Sequence, residues 1–383
     1  MGARVNGMSD QYDAIVLGAG AIGSAAAYHL SKRGLDVLAL ERYGIPHTMG
    51  SSHGITRLHS LTKARGGEYV RVAKRAYELW EELESESGET LYHRTGHVRG
   101  WPAGGDGHLG RSSDAIEGLE ANDLPYEELT GSETNERWPG YDLPEDHEVL
   151  FQPDSGFLDP ELSISTHVRQ AARHGADVRG HERVVDWQAD DDGVRVRTEK
   201  GAYEGDELVI TVGAWAANFV DELEAVAVPE RRVMAWLQPE RPELFEPERF
   251  PTFSVDVEEG YYYGAPIHRV PGFKFGNRPR VREVIDPDEM SRETTAGEEE
   301  VLRGFAERYF PDGAGPTTRM TACIITMTPD EQFVVDRHPD HDNVTFTGGF
   351  SGSGFHASSA IGELLAELTT DETPTLDRTA FAL

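Results

Sequence analysis

The sequence predicts an α/β fold divided into two domains. Three observations predict it. Residues 12–41 read as strand, glycine turn, helix and strand in direct succession. Two later stretches, 206–216 and 343–355, again run from a short apolar strand into a turn of small residues. Between them, residues 222–320 change character to aromatics, Pro-containing strands and acidic helices, and 383 residues exceed what one small core needs.

The first stretch carries the most information. Ala14-Ile15-Val16-Leu17 is short, apolar and β-branched enough for a buried strand. Gly18-Ala19-Gly20-Ala21-Ile22-Gly23 follows at once, then helix formers over 24–33, closed by Gly34. Val37-Leu38-Ala39-Leu40 is a second buried strand, ending on Glu41. Gly18 permits the tight turn, Gly20 leaves room for a pyrophosphate, and Gly23 lets helix and strand pack closely. Glu41 lies 18 residues past Gly23, where a carboxylate accepts hydrogen bonds from ribose hydroxyls. The pattern implies an adenine-dinucleotide site. It does not by itself separate FAD from NAD.

The rest follows in order. Residues 42–57 form a long loop of small, polar and imidazole side chains, either a ligand contact or a solvated connector. Apolar residues at helical spacing predict an amphipathic helix over 69–84. A strand hairpin is expected over 91–101, a glycine-rich loop over 104–110, and helices over 114–124 and 132–138. Residues 151–160 read as a turn-rich connector before a helix over 161–174. Alternating segments at 176–179, 184–187, 193–198 and 201–203 suit a small sheet. Residues 206–216 predict a buried strand and a small-residue turn before a helix. Strands at 332–336 and 343–347 precede Gly348-Gly349-Phe350-Ser351-Gly352-Ser353-Gly354-Phe355, and a helix is expected from about 357 to 368.

Composition narrows the function classes. The net charge of −32 argues against binding nucleic acid or an anionic membrane. Only five of the 36 basic residues are lysines, and the acids are scattered along the chain, a surface suited to a salty cytoplasm. No apolar run reaches the ~20 residues of a membrane span. Residues 1–8 lack the apolar core of a signal peptide, so a cytoplasmic protein is expected. Cys323 is the only cysteine, which excludes an internal disulfide and a thiolate-cluster metal site; no metal is expected.

Several motifs then stand together in order. They include the Gly18–Gly23 turn, Pro46-His47-Thr48-Met49-Gly50-Ser51-Ser52-His53-Gly54, Thr56-Arg57, Gly156-Phe157-Leu158 and Val212-Gly213-Ala214-Trp215. Further on stand Tyr262-Tyr263-Gly264, Gly272-Phe273-Lys274-Phe275-Gly276, Ile285-Asp286-Pro287-Asp288 and Cys323-Ile324-Ile325-Thr326-Met327-Thr328-Pro329-Asp330-Glu331. The 348–355 turn completes the series. Over about 12–370 the chain resembles the flavin amine oxidases of the D-amino-acid oxidase superfamily, within the sarcosine and N-methyltryptophan oxidase branch.

The resemblance implies a FAD-binding, Rossmann-like domain from 10–90, 150–221 and 321–383. It pairs this with a mostly antiparallel β substrate domain from 91–149 and 222–320. It implies oxidation of a secondary amine, such as an N-methyl amino acid, by O₂, giving amine, aldehyde and hydrogen peroxide; the alternatives are a dehydrogenase of the superfamily that passes electrons to a quinone or carrier, and a non-catalytic flavoprotein. A monomer acting on a small amine is expected. Cys323 matches the family's cysteine bonded covalently to FAD. Lys274 matches the lysine that promotes O₂ reduction, where a fixed cation stabilises superoxide as it forms. An isolated charge between apolar neighbours is costly without such a task. Arg57 matches an arginine lying along the flavin ring, and Tyr263 is kept. The implied cofactor contacts are Gly18, Gly20, Ala21, Ile22, Gly23, Glu41, Arg42, Ser51, Ser52, His53, Thr56, Arg57, Val184, Gly213, Trp215, Cys323, Gly349, Ser351, Gly352 and Gly354.

This chain also departs from the family. Ser60 and His356 replace an arginine and a lysine that hold the substrate carboxylate. Arg278 replaces a histidine, and Ile325 an aromatic. Arg278 with His356 supplies a relocated carboxylate site, or Arg278-Pro279-Arg280 is a solvated pair in a hairpin. The sequence leaves both open.

Overall fold

The computed structural model describes residues 11–62, 67–105, 112–279 and 282–383. The N-terminal residues 1–8, most of the 104–110 loop and Arg280 lie outside the described residues.

The apolar strand Gln11–Leu17 is the hub of an eight-stranded sheet. It pairs in parallel with Val37–Leu40 on one side and Ala202–Ile210 on the other. Asp177–Arg179 extends one edge in parallel, and His341–Gly348 pairs in parallel with the far half of Ala202–Ile210. Central strands buried on both faces explain the unbroken apolar runs at 14–17 and 37–40. The helix Ala21–Lys32 follows the glycine turn and packs on Gly354–Thr369 and Pro160–Arg173. Ala25 and Gly362 let the first two approach closely. A Cβ at Gly362 would sit 2.5 Å from that of Ala25.

The second eight-stranded sheet is mostly antiparallel. Its order is Thr317–Met327, Val228–Leu237, Phe273–Arg278, Gly260–Ala265, Thr252–Val257, His97–Trp101, Glu148–Gln152 and Glu127–Thr130. Alternation along each strand divides the labour. Phe273 and Phe275 face an aromatic core with Phe253, Tyr262 and Phe305. The helix Ala296–Tyr309 covers that core, started by a Thr295–Glu298 capping box. Tyr262 stacks on Phe305 with ring centroids 3.8 Å apart. Lys274, Gly276 and Arg278 take the alternate positions, on the opposite face.

Some segments differ from expectation. The predicted hairpin at 91–101 is two strands in different sheets. Tyr92–Arg94 joins a three-stranded sheet with Arg57–His59 and Gly156–Leu158, whereas His97–Trp101 joins the large antiparallel one. Gly96, at φ +74°, turns the chain from one to the other. The 151–160 connector is therefore partly strand. After Ile210 the turn enters a 3-10 segment, Gly213–Asn218, and not an α-helix. The final helix starts at Gly354, three residues early. Thr317–Met327 crosses the expected boundary at 321. It pairs with Val228–Leu237 as far as Met327, so Cys323 stands on the second sheet. Among the described residues 222–320 hold one α-helix, not several.

Candidate functional site

The glycine turn is built as its spacing requires. Gly18 has φ +84°, and a Cβ there would lie 2.7 Å from the Thr211 carbonyl oxygen. A Cβ at Gly23 would meet the Gly18 oxygen at 1.8 Å. Gly20 caps the Ala21–Lys32 helix, and a Cβ there would meet nothing nearer than Ser52 Oγ at 4.0 Å. The amides of the first helical turn thus open onto free space, where a helix N-terminus favours an anion. Glu41 is buried at the end of its strand. Its Oε2 accepts from the Ala19 amide at 3.0 Å and its Oε1 from the Tyr43 amide at 2.9 Å. Burial pushes this carboxyl up, but His47 at 3.4 Å and the two amides outweigh it and hold it below the usual range. The turn, the open amides and the ionised acid fit a dinucleotide.

From this turn a cavity of about 430 Å³ runs to the second sheet. Gly18, Gly20, Ala21, Ile22, Glu41, Arg42, Ser51, Ser52, Arg57, Val184, Gly213 and Trp215 line it. So do Tyr263, Arg278, Cys323, Gly349, Ser351, Gly352, Gly354 and His356. Gly23, His53, Thr56 and Lys274 stand outside its wall: Gly23 packs against the turn, and the other three are buried. Burial first, then the charges of Arg57 and Lys274, lowers the His53 imidazole to about 2, so it is neutral.

One face of the second sheet forms the far wall. Cross-strand register sets Cys323 opposite Arg232, Trp236 opposite Lys274, and Tyr263 opposite Gly276. Cys323 is 3% exposed and packs with Met234 and Trp236. Lys274 lies over the Trp236 ring, its Nζ 5.5 Å from the centroid. The Lys274 ammonium donates to the carbonyls of Gly54 at 2.8 Å and Thr56 at 2.5 Å. Burial, then Arg57, pulls its proton affinity well below that of an ordinary lysine, while Glu161 opposes this. Arg57 donates to the Ser51 and Thr56 carbonyls at 2.7 and 3.3 Å. Among the described residues no carboxylate pairs with it, so its charge is available to the cavity. Burial raises the Tyr263 hydroxyl, which stays protonated.

The rest of the wall is polar. Arg278 is held by Glu331, Nη1 to Oε2 at 3.0 Å with a second short contact from Nη2. Ser60 and Thr62 share a hydroxyl hydrogen bond at 2.8 Å. The His356 ring lies 5.4 Å from that of His59, nearly perpendicular. Sequence reasoning missed His97, Arg232, Ser254, Tyr261 and Asn277, all on the cavity wall. His97 Nε2 lies 2.8 Å from Ser254 Oγ. For His97, Arg232, Ser254 and Tyr261 the signal was present as polar residues alternating with apolar ones such as Val98, Phe253 and Val255 on buried strands; Asn277, at a strand end and on the opposite parity, left none.

Comparison with known proteins agrees with this geometry. Residues 13–368 match the family model described as "FAD dependent oxidoreductase". A monomeric sarcosine oxidase of Bacillus sp. (strain NS-129) is 37% identical, over 98% of this chain and 97% of its own length. The N-methyl-L-tryptophan oxidase of Yersinia pestis (strain Pestoides F) is 31% identical, over 97% and 98%. Among solved structures, NikD, an amino acid oxidase essential for nikkomycin biosynthesis, superposes with a TM-score of 0.86 at 22% identity. The match covers 98% of both chains and shows a shared fold. With the match running from the first strand to the last helix, this chain belongs to the FAD dependent oxidoreductase family.

Proposed function

We propose that the protein oxidises a secondary amine, of the N-methyl amino acid class, with O₂ as electron acceptor. The observation that carries this is the placing of Cys323 and Lys274 on one sheet face, either side of the Val228–Leu237 strand. The glycine turn, Glu41 and the Gly349–Gly354 turn would hold FAD, and Cys323 would carry a covalent bond to it. FAD bound there would supply the two-electron chemistry that links amine oxidation to O₂ reduction.

The chain's own residues supply position and field. Arg57, with no carboxylate partner among the described residues, offers charge to electron-rich parts of the cavity. Lys274, when protonated, stabilises negative charge as it develops on O₂. Tyr263, Ser60 and Asn277 shape a polar pocket. The substrate carboxylate is held at Arg278, with His356 nearby on the same cavity. The substrate amine must be neutral to release hydride, so turnover rises with pH through the ionisation of the bound amine. The imine product is hydrolysed by water to amine and aldehyde.

A cytoplasm of high salt suits the charge of −32, and a monomer is in keeping with the name of the Bacillus relative, monomeric sarcosine oxidase. Among the described residues, no helix is long and apolar enough to cross a membrane. The test is anaerobic bleaching of the flavin absorbance by a panel of N-methyl amino acids in high salt, followed by admission of air. Bleaching, then peroxide on reoxidation, is expected. A holoprotein that no amine reduces would overturn the assignment.

A further inference from the structure

The Lys274 ammonium has no carboxylate within ion-pair distance among the described residues. Its two recorded acceptors are backbone carbonyls, Gly54 at 2.8 Å and Thr56 at 2.5 Å. A buried ammonium held only by neutral oxygens loses its proton easily. The Gly54 carbonyl belongs to the same peptide unit as the Ile55 amide. That amide donates to Glu161, with contacts of 3.3 and 3.2 Å to Oε1 and Oε2. The Gly54 amide donates to the same carboxylate at 2.8 Å. A carboxylate, a peptide and an ammonium therefore stand in line, and hydrogen bonds in series polarise one another.

The backbone at this point is held in an unfavourable shape. Ile55 is β-branched yet has φ +72°, and Gly54 before it has φ +102°. Such a conformation persists only where its surroundings impose it. Glu161 imposes it by gripping both amides from the first turn of the Pro160–Arg173 helix, itself fixed by the Asp159 cap. Space is also tight. A Cβ at Gly54 would lie 3.3 Å from Lys274 Nζ and 3.2 Å from Arg57 Nη1.

We propose that Glu161 is a positioning residue that keeps Lys274 charged, acting through the Gly54–Ile55 peptide. The inference rests on the reading that Lys274 meets O₂. The charged groups around Lys274 are Arg57 and Arg319, which weaken its hold on the proton, and Glu161, which strengthens it; Cys323, bonded to the flavin in the proposed function, carries no charge there. His53, neutral and buried, adds no charge. Glu161 is the one carboxylate in this set.

The chain's five lysines make a direct test practical. In holoprotein grown with ζ-¹⁵N-lysine, at most five side-chain signals appear, and Lys274→Met identifies the one at issue. Glu161→Gln is expected to lower the Lys274 titration midpoint by about one pH unit, a tenfold loss of proton affinity. Reoxidation of the reduced flavin by O₂ should slow about threefold midway between the two midpoints, approach about tenfold above both, and recover as pH is lowered. Anaerobic reduction by amine should be unchanged. Ile55→Gly relieves the strained backbone, so Ile55→Gly/Glu161→Gln separates charge from loop geometry. The double variant should show the same fall in midpoint, and Ile55→Gly alone none.

An unmoved midpoint in both Gln variants would overturn the proposal. So would an equal slowing of reduction and reoxidation, which marks a merely structural role. The oxidase reading fails separately, if no amine bleaches the wild-type flavin. The Lys274 midpoint is measured whatever that result.

Discussion

Glu331 grips the guanidinium of Arg278 with both carboxylate oxygens, joining the end of the Phe273–Arg278 strand to the loop after Met327. Glu331 reaches this position with φ +62°, uncommon for a residue other than glycine. The cation best placed to hold a substrate carboxylate is thus already engaged by one of the protein's own. Glu331→Gln should free it and tighten binding of a simple carboxylate such as acetate by roughly five- to tenfold. Arg278→Gln should abolish that gain in either background. Titrating flavin absorbance with acetate checks both, and equal affinity in wild type and Glu331→Gln would refute the competition.

Cys323 packs with Met234 and Trp236 at the cavity wall, and serine nearly matches its volume. Cys323→Ser should fold, at a stability cost of about 1 kcal/mol. After acid precipitation its yellow colour should stay in the supernatant, whereas the wild type's should pellet. Colour released from both would show that FAD is held without a covalent bond.

Glu41 sets a pH dependence. Its folded-state pKa is depressed, so its contribution to stability is present above the ordinary carboxylate value and is lost as pH falls through the depressed one. Glu41→Gln should cost about 1–2 kcal/mol at pH 7, from weakened bonds to the Ala19 and Tyr43 amides. The gap should narrow as pH falls below about 4. Urea midpoints of both proteins across that range measure it.

Two glycines predict opposite outcomes. Gly23→Ala would force a methyl group to 1.8 Å from the Gly18 carbonyl oxygen and should destabilise the protein by more than about 3 kcal/mol, with loss of bound FAD. Gly304 lies within Ala296–Tyr309, and a Cβ there meets nothing within 4 Å. Gly304→Ala should stabilise by roughly 0.5–1 kcal/mol. Thermal melts of the two variants decide between them.

What the sequence revealed depended on distance along the chain. The Gly18–Glu41 unit was legible because its glycines, helix and acid all lie within one local supersecondary element. Lys274 and Cys323 were legible as oddities, a lysine among arginines and the sole thiol, each within a motif. The grip of Glu331 on Arg278 spans 53 residues and that of Lys274 on Gly54 spans 220, so neither left a local trace. The strands at 92–94 and 97–101 read as a hairpin because their pattern is right for pairing. Only the tertiary choice of different partners separates them. His97 and Ser254 were passed over because a polar residue on a buried strand reads as a weak strand until its face is known to border a cavity.

The sheet face that carries the thiol and the ammonium has one further bearing. Cys323 and Lys274 are fastened to the same intervening strand, Val228–Leu237, at Arg232 and Trp236, a stretch over which its ladder to Thr317–Met327 keeps one register. Their separation is therefore a property of a stiff plank rather than of a hinge, and opening the entrance would carry both together. Ser60, Asn277 and Arg278 sit at loop edges and strand ends. A redesigner seeking a new amine could recut those margins and leave the plank untouched.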